Sequence, residues 1–451
     1  MNSDQVEPKA RIRRRRGGKY AVALATSSFI LAACGSSASS SSSSSATTAA
    51  SSGPQTITWW SSPLGAGSAD IRSNLISAFE KVYPNIKVNL VSAPTNTDTN
   101  RAQLTTQISG GSTSPDVFMG DVIWPAQFGA HGLALPLSKY LPSSYWSQFA
   151  PGLVQGATYK GQVYGSPLFE DQGFLFYRKD LLQAANLPVP TTWEQLQQEA
   201  VQLVKSGAVQ NGFVWEGNSY EGLTCNFMEY LGSAGGNVVN SGYTQSTINS
   251  AAGQRALTFM RSLITSGASP ASVTTMQEPQ AESTFVAGNA AFLRNWSYAW
   301  SDSQTSAGSA VVGKVGVTTL PTFAGQSGTG YANIGGWNLY VNPHSTHLSA
   351  DLTFIKWMAG TTAQTMLANA SFIPTLQSVR QQFAASTTAP PPLQIAAKEN
   401  LIPRPSGSPN YAAVSQAIYT NVNSALTGSS SVSAALSSAA SQMNSALSGG
   451  L

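Results

Sequence analysis

The sequence predicts an α/β protein built as two lobes with a cleft between them. Short apolar runs of strand type alternate with amphipathic helical segments along almost all of the chain after Gln55. That alternation covers ~400 residues, more than a single hydrophobic core of ordinary size accommodates. Hydrophobic residues make up 42% of the 451 positions, which supports a sizeable core. Charged residues make up only 10%, against about 25% in an average protein. Ser, Thr, Asn and Gln fill the remaining polar positions, a composition suited to an exported protein that makes hydroxyl and amide contacts.

The elements follow in order. Thr56–Trp60 (TITWW) reads as a strand leading into a Gly/Ser/Pro loop over 61–68. Leu75, Phe79, Val82 and Tyr83 recur at helical spacing within 70–83, and Pro84 stops that helix. Ile86–Leu90 (IKVNL) alternates apolar and polar residues as a strand does. The resulting β-α-β unit favours a parallel sheet with a right-handed crossover. Ala102–Ile108 reads as a helix and Asp116–Gly120 as a buried strand. Helices are expected over 181–186, 193–205, 222–231, 251–264 and 348–358, the second capped by Thr191 or Thr192. Strands are expected over 290–295, 315–320 and 339–342. Pro390, Pro391 and Pro392 mark a rigid loop, and Val432, Leu436, Met443 and Leu447 line one side of a helical tail over 414–447.

The amino terminus reads as a targeting segment. Six basic residues lie between Lys9 and Arg16, and Lys19 adds one more. The formal net charge of +4 therefore comes from this stretch. Without it the chain is near neutral, with no basic face for nucleic acid. Tyr20–Ala33 is apolar but too short to span a hydrocarbon core of about 30 Å. A signal peptide over 1–33 is predicted. Leu31-Ala32-Ala33-Cys34-Gly35 resembles a bacterial lipobox, so Cys34 is the predicted lipidation site. The Ser/Ala/Thr tract that follows cannot bury enough apolar area to fold and is predicted to be a tether over 34–54. The expected location is the extracytoplasmic side of the cell membrane, held there by acyl chains in the outer leaflet.

Two cysteines, Cys34 and Cys225, are too few for a disulfide framework. His131, His344 and His347 form no HExxH or compact His/Cys cluster, and no metal or cofactor is expected. No GxSxG elbow occurs, and no catalytic residue is expected.

Six stretches, in register, resemble the family 1 extracellular solute-binding proteins, the maltose-binding-like group. DVFMGDVIWPAQFGAHGLALPL over 116–137 is similar to the family's strand, Asp, Trp and G-x-L-x-P-L turn. YKGQVYGSPLFEDQGFLFYRKD over 159–180 is similar to its hinge region. LGSAGG over 231–236, FVAGNAAFLRNWSYAW over 285–300, LPTFAGQSGTGYANIGGWN over 320–338 and FIKW over 354–357 complete the set. The DVIWPAQF wording is similar to the trehalose/maltose-type branch. The resemblance implies the two-lobed periplasmic-binding-protein-like fold, with the chain crossing the hinge more than once. Crossings are expected near 169–172, near 330–335 and after Pro374. Lobe 1 would then combine 55–167 with 335–378, and lobe 2 would combine 168–334 with 379–451. It also implies a monomeric receptor that closes on a sugar, a disaccharide such as trehalose or maltose, and delivers it to the permease subunits of an ABC transporter.

Sugars present hydroxyls and apolar ring faces. Carboxylates, amides and Arg supply directional hydrogen bonds, and aromatic faces cover the C–H side. On that chemistry and the resemblance, the candidate ligand-binding residues are Asp121, Glu170, Asp171, Tyr220, Glu221, Trp296, Tyr298, Gly336, Asn338 and Arg404. Asp121 has a helix cap as its plain alternative. Glu170 and Asp171 are adjacent at the expected hinge, and Asp171 is the preferred one. Trp124 reads as core, Trp59 and Trp60 as divided between core and cleft edge, and Cys225 as a buried helix residue. Three other readings stay open. One is a glycosidase using Asp171 and Glu221, which needs a defined carboxyl separation. Another is a same-fold receptor for an oligosaccharide, glycerophosphodiester or polyamine. The last is a cell-wall interaction protein without a small ligand.

Overall fold

The computed structural model describes residues 53–305 and 307–449. The predicted signal segment, Cys34 and all but the last two residues of the predicted tether lie outside the described residues. The strands, in chain order, are β1 (Gln55–Ser61), β2 (Ile86–Ser92), β3 (Val117–Asp121), β4 (Thr158–Tyr159), β5 (Gln162–Val163), β6 (Ser166–Gln172), β7 (Phe174–Arg178), β8 (Asn211–Val214), β9 (Ala290–Asn295), β10 (Val315–Thr318), β11 (Tyr331–Val341), β12 (Ile373–Pro374) and β13 (Asn400–Ile402). β4 and β5 form a small hairpin, and the rest form two sheets.

The first sheet has the order β12-β6-β11-β3-β1-β2, with β13 added beside β11. β1 pairs in parallel with both β2 and β3, as the β-α-β pattern predicts. β11 then runs antiparallel to β3 and to β6, so the sheet is mixed rather than all parallel. Side-chain alternation sorts its residues onto two faces. Trp59, Val117, Met119, Leu339 and Val341 pack on one face with Leu75, Phe79 and Phe354. Trp60, Phe118 and Tyr340 pack on the other with Leu104, Trp124 and Phe128. Trp59 and Trp60 are therefore both core, on opposite faces. Trp59 meets Phe354 edge-on at 5.3 Å, and each large side chain of this kind contributes roughly 1.5–3 kcal/mol by burial.

The second sheet has the order β10-β7-β9-β8 and anchors the second core. Helices Trp193–Lys205, Glu221–Ser233, Ala251–Thr265, Tyr411–Leu426 and Val432–Ser448 supply most of its apolar cover. Thr192 caps the first of these, accepting from Gln195 N at 3.2 Å. The predicted single tail helix is two helices, because Gly428 adopts φ +82° between them. Pro391 and Pro392 open a short helix, 391–395, rather than sitting in a loop. β11 is eleven residues long. Only its end was legible, because Gly335 and Gly336 interrupt the apolar pattern.

β6 stays in the first sheet through Gln172, which pairs with Ile334, and β7 begins in the second sheet at Phe174. The first crossing thus falls at Gly173, next to the expected 169–172, and residues 168–172 belong with the first sheet rather than the second lobe. Tyr331–Asn333 already pair with β13, so the return strand starts before the expected boundary at Gly335. The third crossing follows β12, after which Val379, Phe383 and Leu393 join the second core.

Candidate functional site

Between the two sheets lies a cavity of about 380 Å³, within the range of small-molecule sites. The first lobe contributes the loop from Ser62 to Asp70, Thr95, Thr97, Asp121, Phe169, Asp171, the Gly335-Gly336-Trp337 stretch and Phe372. The second contributes Glu216, Tyr220, Glu221, Cys225, Glu278, Glu282, Trp296 and Tyr298, and Arg404 comes from the segment after β13.

Asp121 ends β3. Its Oδ1 accepts from Ile123 N at 3.2 Å and from Arg404 Nη2 at 2.7 Å, and its Oδ2 accepts from Arg404 Nη1 at 3.1 Å. It is a cavity residue that closes a turn onto Ile123 N, and not the helix cap foreseen as its plain role, since Trp124 is the residue that precedes the helix 125–130. Arg404 Nη1 also donates to Glu221 Oε1 at 3.0 Å. The guanidinium thus joins a carboxylate of the first lobe to one of the second. Glu221 begins its helix, where a carboxylate is favoured by the helix dipole. It accepts further from Tyr411 OH and Ser415 Oγ, both at 2.6 Å. Burial pushes Glu221 up to about 7, although Arg404 pulls in the opposite direction.

On a strand, neighbours face opposite sides, and that separates Glu170 from Asp171. Asp171 lines the cavity, and its Oδ1 accepts from Ser297 N and Gln172 N, each at 2.9 Å. Burial pushes it up to about 7. Glu170 turns away and pairs with Arg380. It does not line the cavity, and this corrects the expectation. Asn338 is a second correction. It is buried, donates to Tyr340 OH at 3.2 Å and packs over Gly165. The register slip between Trp337 and Asn338 places Trp337, not Asn338, at the cavity. Gly336 stands at φ +120°, where a Cβ would lie 2.5 Å from Phe169 O, so only glycine fits.

Trp296 lies with one face over Arg294, whose Cζ is 4.2 Å from the ring centroid. Gly335 leaves room for it; a Cβ there would sit 2.6 Å from Trp296 Cζ3. Arg294 is itself held by Glu216, at 2.7 Å, and by Glu229. Tyr298 donates to Glu278 and stacks on Phe372 at 5.9 Å. Tyr220 donates to Glu216 and accepts from Glu278 N at 3.0 Å. Burial and nearby Glu216 push Glu278 up to about 8.

The structure therefore brings eight of the ten candidates to one cavity and leaves out Glu170 and Asn338. Trp124 is core, stacked on Phe128 at 5.1 Å. Cys225 is a buried helix residue that also lines the cavity. Glu216, Glu278, Glu282, Phe169, Phe372 and Trp337 were missed. Proline after Glu278 marks a helix start, the one local signal that a carboxylate there stands at an ordered position. Among the described residues, no group of three or more His, Cys, Asp or Glu has the arrangement of a metal site.

Two α/β lobes joined by three hinge crossings, with one polar and aromatic cavity between them, define the periplasmic-binding-protein fold. Residues 65–365 match the family model for bacterial extracellular solute-binding proteins, and the chain belongs to that family. It is 34% identical over 331 residues to a probable ABC transporter-binding protein of Deinococcus radiodurans, covering 72% of this chain and 77% of that one. Maltose-bound MalE3 of T. maritima aligns with a TM-score of 0.79 at 32% identity, over 86% of this chain and 99% of that one. A solute-binding protein of an ABC transporter from Agrobacterium radiobacter K84, in complex with ribitol, aligns with a TM-score of 0.73 at 26% identity, over 87% and 99%.

Proposed function

We propose that the protein is the extracellular receptor of an ABC importer for a neutral sugar, a disaccharide such as maltose or trehalose, held at the membrane by a lipid on Cys34. The observation that carries this is the internal compensation of charge in the cavity. Seven carboxylates line it: Asp70, Asp121, Asp171, Glu216, Glu221, Glu278 and Glu282. Arg404 bridges Asp121 and Glu221 and offsets one of their two charges, Arg294 pairs with Glu216 as well as with Glu229, and Arg72 pairs with Asp70. Burial raises Asp171 to about 7, Glu278 to about 8, and Glu282 well above its ordinary value. Burial thus favours the protonated, hydrogen-bond-donating form of these three over the anion. Such a cavity suits hydroxyls better than a polyamine or a phosphodiester. Trp296, Tyr298, Trp337, Phe169 and Phe372 supply apolar faces for sugar rings. The ligands named for the two solved relatives above, maltose and ribitol, are likewise neutral and rich in hydroxyls.

Binding is favoured over hydrolysis. Both oxygens of Glu221 are engaged by Arg404, Tyr411 and Ser415, and Asp171 Oδ1 already accepts two N–H groups. Glu221 is therefore not free in the way a general acid or nucleophile must be.

The test is thermal unfolding of the full chain carrying Cys34→Ser, with maltose, trehalose, sucrose, maltodextrins, ribitol, glycerophosphocholine and spermidine. A ligand at a hundredfold excess over Kd stabilises by about 2.7 kcal/mol. A shift with a disaccharide, lost in Trp296→Ala, supports the proposal. A shift with spermidine or the phosphodiester alone sinks the ligand class. Detergent partition of the wild-type chain against Cys34→Ser tests the anchor.

A further inference from the structure

The first-lobe loop Ser62–Asp70 reaches across the cleft. Gly65 stands at φ +105°, and a Cβ there would lie 2.6 Å from Ala69 O, so the loop is a turn that glycine alone permits. Asp70 braces it, accepting from Leu64 N at 3.2 Å and from Arg72 N at 3.1 Å. At the tip, Ala66 N donates to Asp302 Oδ2 of the second lobe at 2.9 Å. Behind Asp302, on the helix Glu278–Val286, stands Glu282. Asp302 is 7% exposed and Glu282 is 5% exposed. Each keeps one buried oxygen, Asp302 Oδ1 and Glu282 Oε1, with no hydrogen-bond partner. Two buried carboxyls in contact do not both ionise. A proton on Glu282, donated to Asp302, turns their repulsion into a hydrogen bond and leaves Asp302 Oδ2 free to accept from Ala66.

We propose that Ala66, Asp302 and Glu282 form a one-proton latch between the lobes, closed while the carboxyl pair holds its proton and released when the proton is lost. The proposal rests on reading the cleft as one that opens and closes around a ligand. The groups that face the pair are Glu278 from Glu282's own helix, Tyr298 from the start of Asp302's helix, and Asp70 from the loop. Glu278 and Asp70, where ionised, strengthen the pair's hold on its proton, whereas Tyr298 stays a neutral phenol. Burial and Asp302 together push Glu282 well above 4.5, and burial pushes Asp302 up as well. When the lobes part, Ala66 leaves with its loop, water reaches both carboxyls, and both ionise at ordinary values. The closed form thus holds a proton that the open form lacks. The latch is at full strength below about 4.5 and is lost as pH rises through the raised value. Between the two, the closed-to-open ratio falls about tenfold per pH unit.

The experiment needs no ligand. The radius of gyration of the full chain carrying Cys34→Ser is followed by small-angle X-ray scattering from pH 5 to pH 9. Glu282→Gln is run beside it, since its amide donates to Asp302 without a titrating proton. The parent chain is expected to expand as pH rises, and Glu282→Gln to expand less and later. Should Glu282→Gln fail to fold, Asp302→Asn carries the same test, because an amide beside Glu282 also removes the need for a shared proton. A parent chain of constant size, or variant and parent curves that run parallel, overturns the latch. A chain that binds none of the sugars would sink the sugar reading and leave the scattering result standing.

Discussion

Arg294 and Arg404 each hold two carboxylates in the protein interior, but the partners belong to different bodies. Arg294 joins Glu216 and Glu229, both of the second lobe, beneath Trp296. Arg404 joins Asp121 of the first lobe to Glu221 of the second. The first cluster stays intact whatever the lobes do. The second must break or enter water when they part. The same chemistry therefore serves as a foundation in one place and as a moving contact in the other. A buried ion pair is weak grounds for stability in itself, yet removing one partner is costly. The expected costs differ accordingly.

The largest effect is expected from Arg294→Met. It leaves Glu216 and Glu229 buried without a cation, and urea unfolding should show a loss of about 3–5 kcal/mol. Arg404→Met leaves two carboxylates that can regain water by opening the cleft, so its loss should be on the order of 1–2 kcal/mol. Equal losses would break the comparison.

Gly173→Ala comes next. A Cβ there would press into Glu229 Oε1 and lie 2.7 Å from Arg294 Nη2. The hinge residue is glycine because the Arg294 cluster sits directly under it. Overpacking should cost about 1–3 kcal/mol in the same measurement, and combining it with Arg294→Met should be strongly non-additive.

The Arg404 cluster should also respond to pH. Glu221 is raised from 4.5 to about 7 where the lobes meet, so the closed form binds its proton more tightly than a hydrated, open one. Its contribution to closure is complete below about 4.5 and is lost as pH rises through about 7. Calorimetric titration with maltose should show affinity falling from pH 5 to pH 8, with a shallower fall in Glu221→Gln. An unchanged slope in that variant would assign the proton elsewhere.

The smallest effect is expected from Glu170→Gln. Its partner Arg380 is 34% exposed, so the pair is worth about 0–1 kcal/mol. Sugar affinity should match the parent, since Glu170 turns away from the cavity, whereas Asp171→Asn should weaken it.

Much of this was legible locally. The helix 193–205 with its Thr192 cap, the strand 290–295 and the helix 348–358 follow directly from apolar spacing and capping residues. The candidate site was partly legible too, since Asp121, Glu221, Trp296 and Arg404 stand in stretches whose wording carries the resemblance. Glu278 and Glu282 were not. In sequence they are two acidic residues on a polar helix, indistinguishable from a solvated face until the opposite lobe covers them.

The chain's own order of residues determines which segments become strands and helices and which face of each is apolar, because those depend on spacing within a few residues. It also determines that glycine stands at 173 and 336. Only the tertiary structure decided why. Contacts between residues over a hundred positions apart, such as Arg404 with Asp121 or Ala66 with Asp302, set which carboxylates are paired, protonated or turned away. Coulomb and desolvation energies depend on distance and burial in three dimensions, and neither is written in separation along the chain.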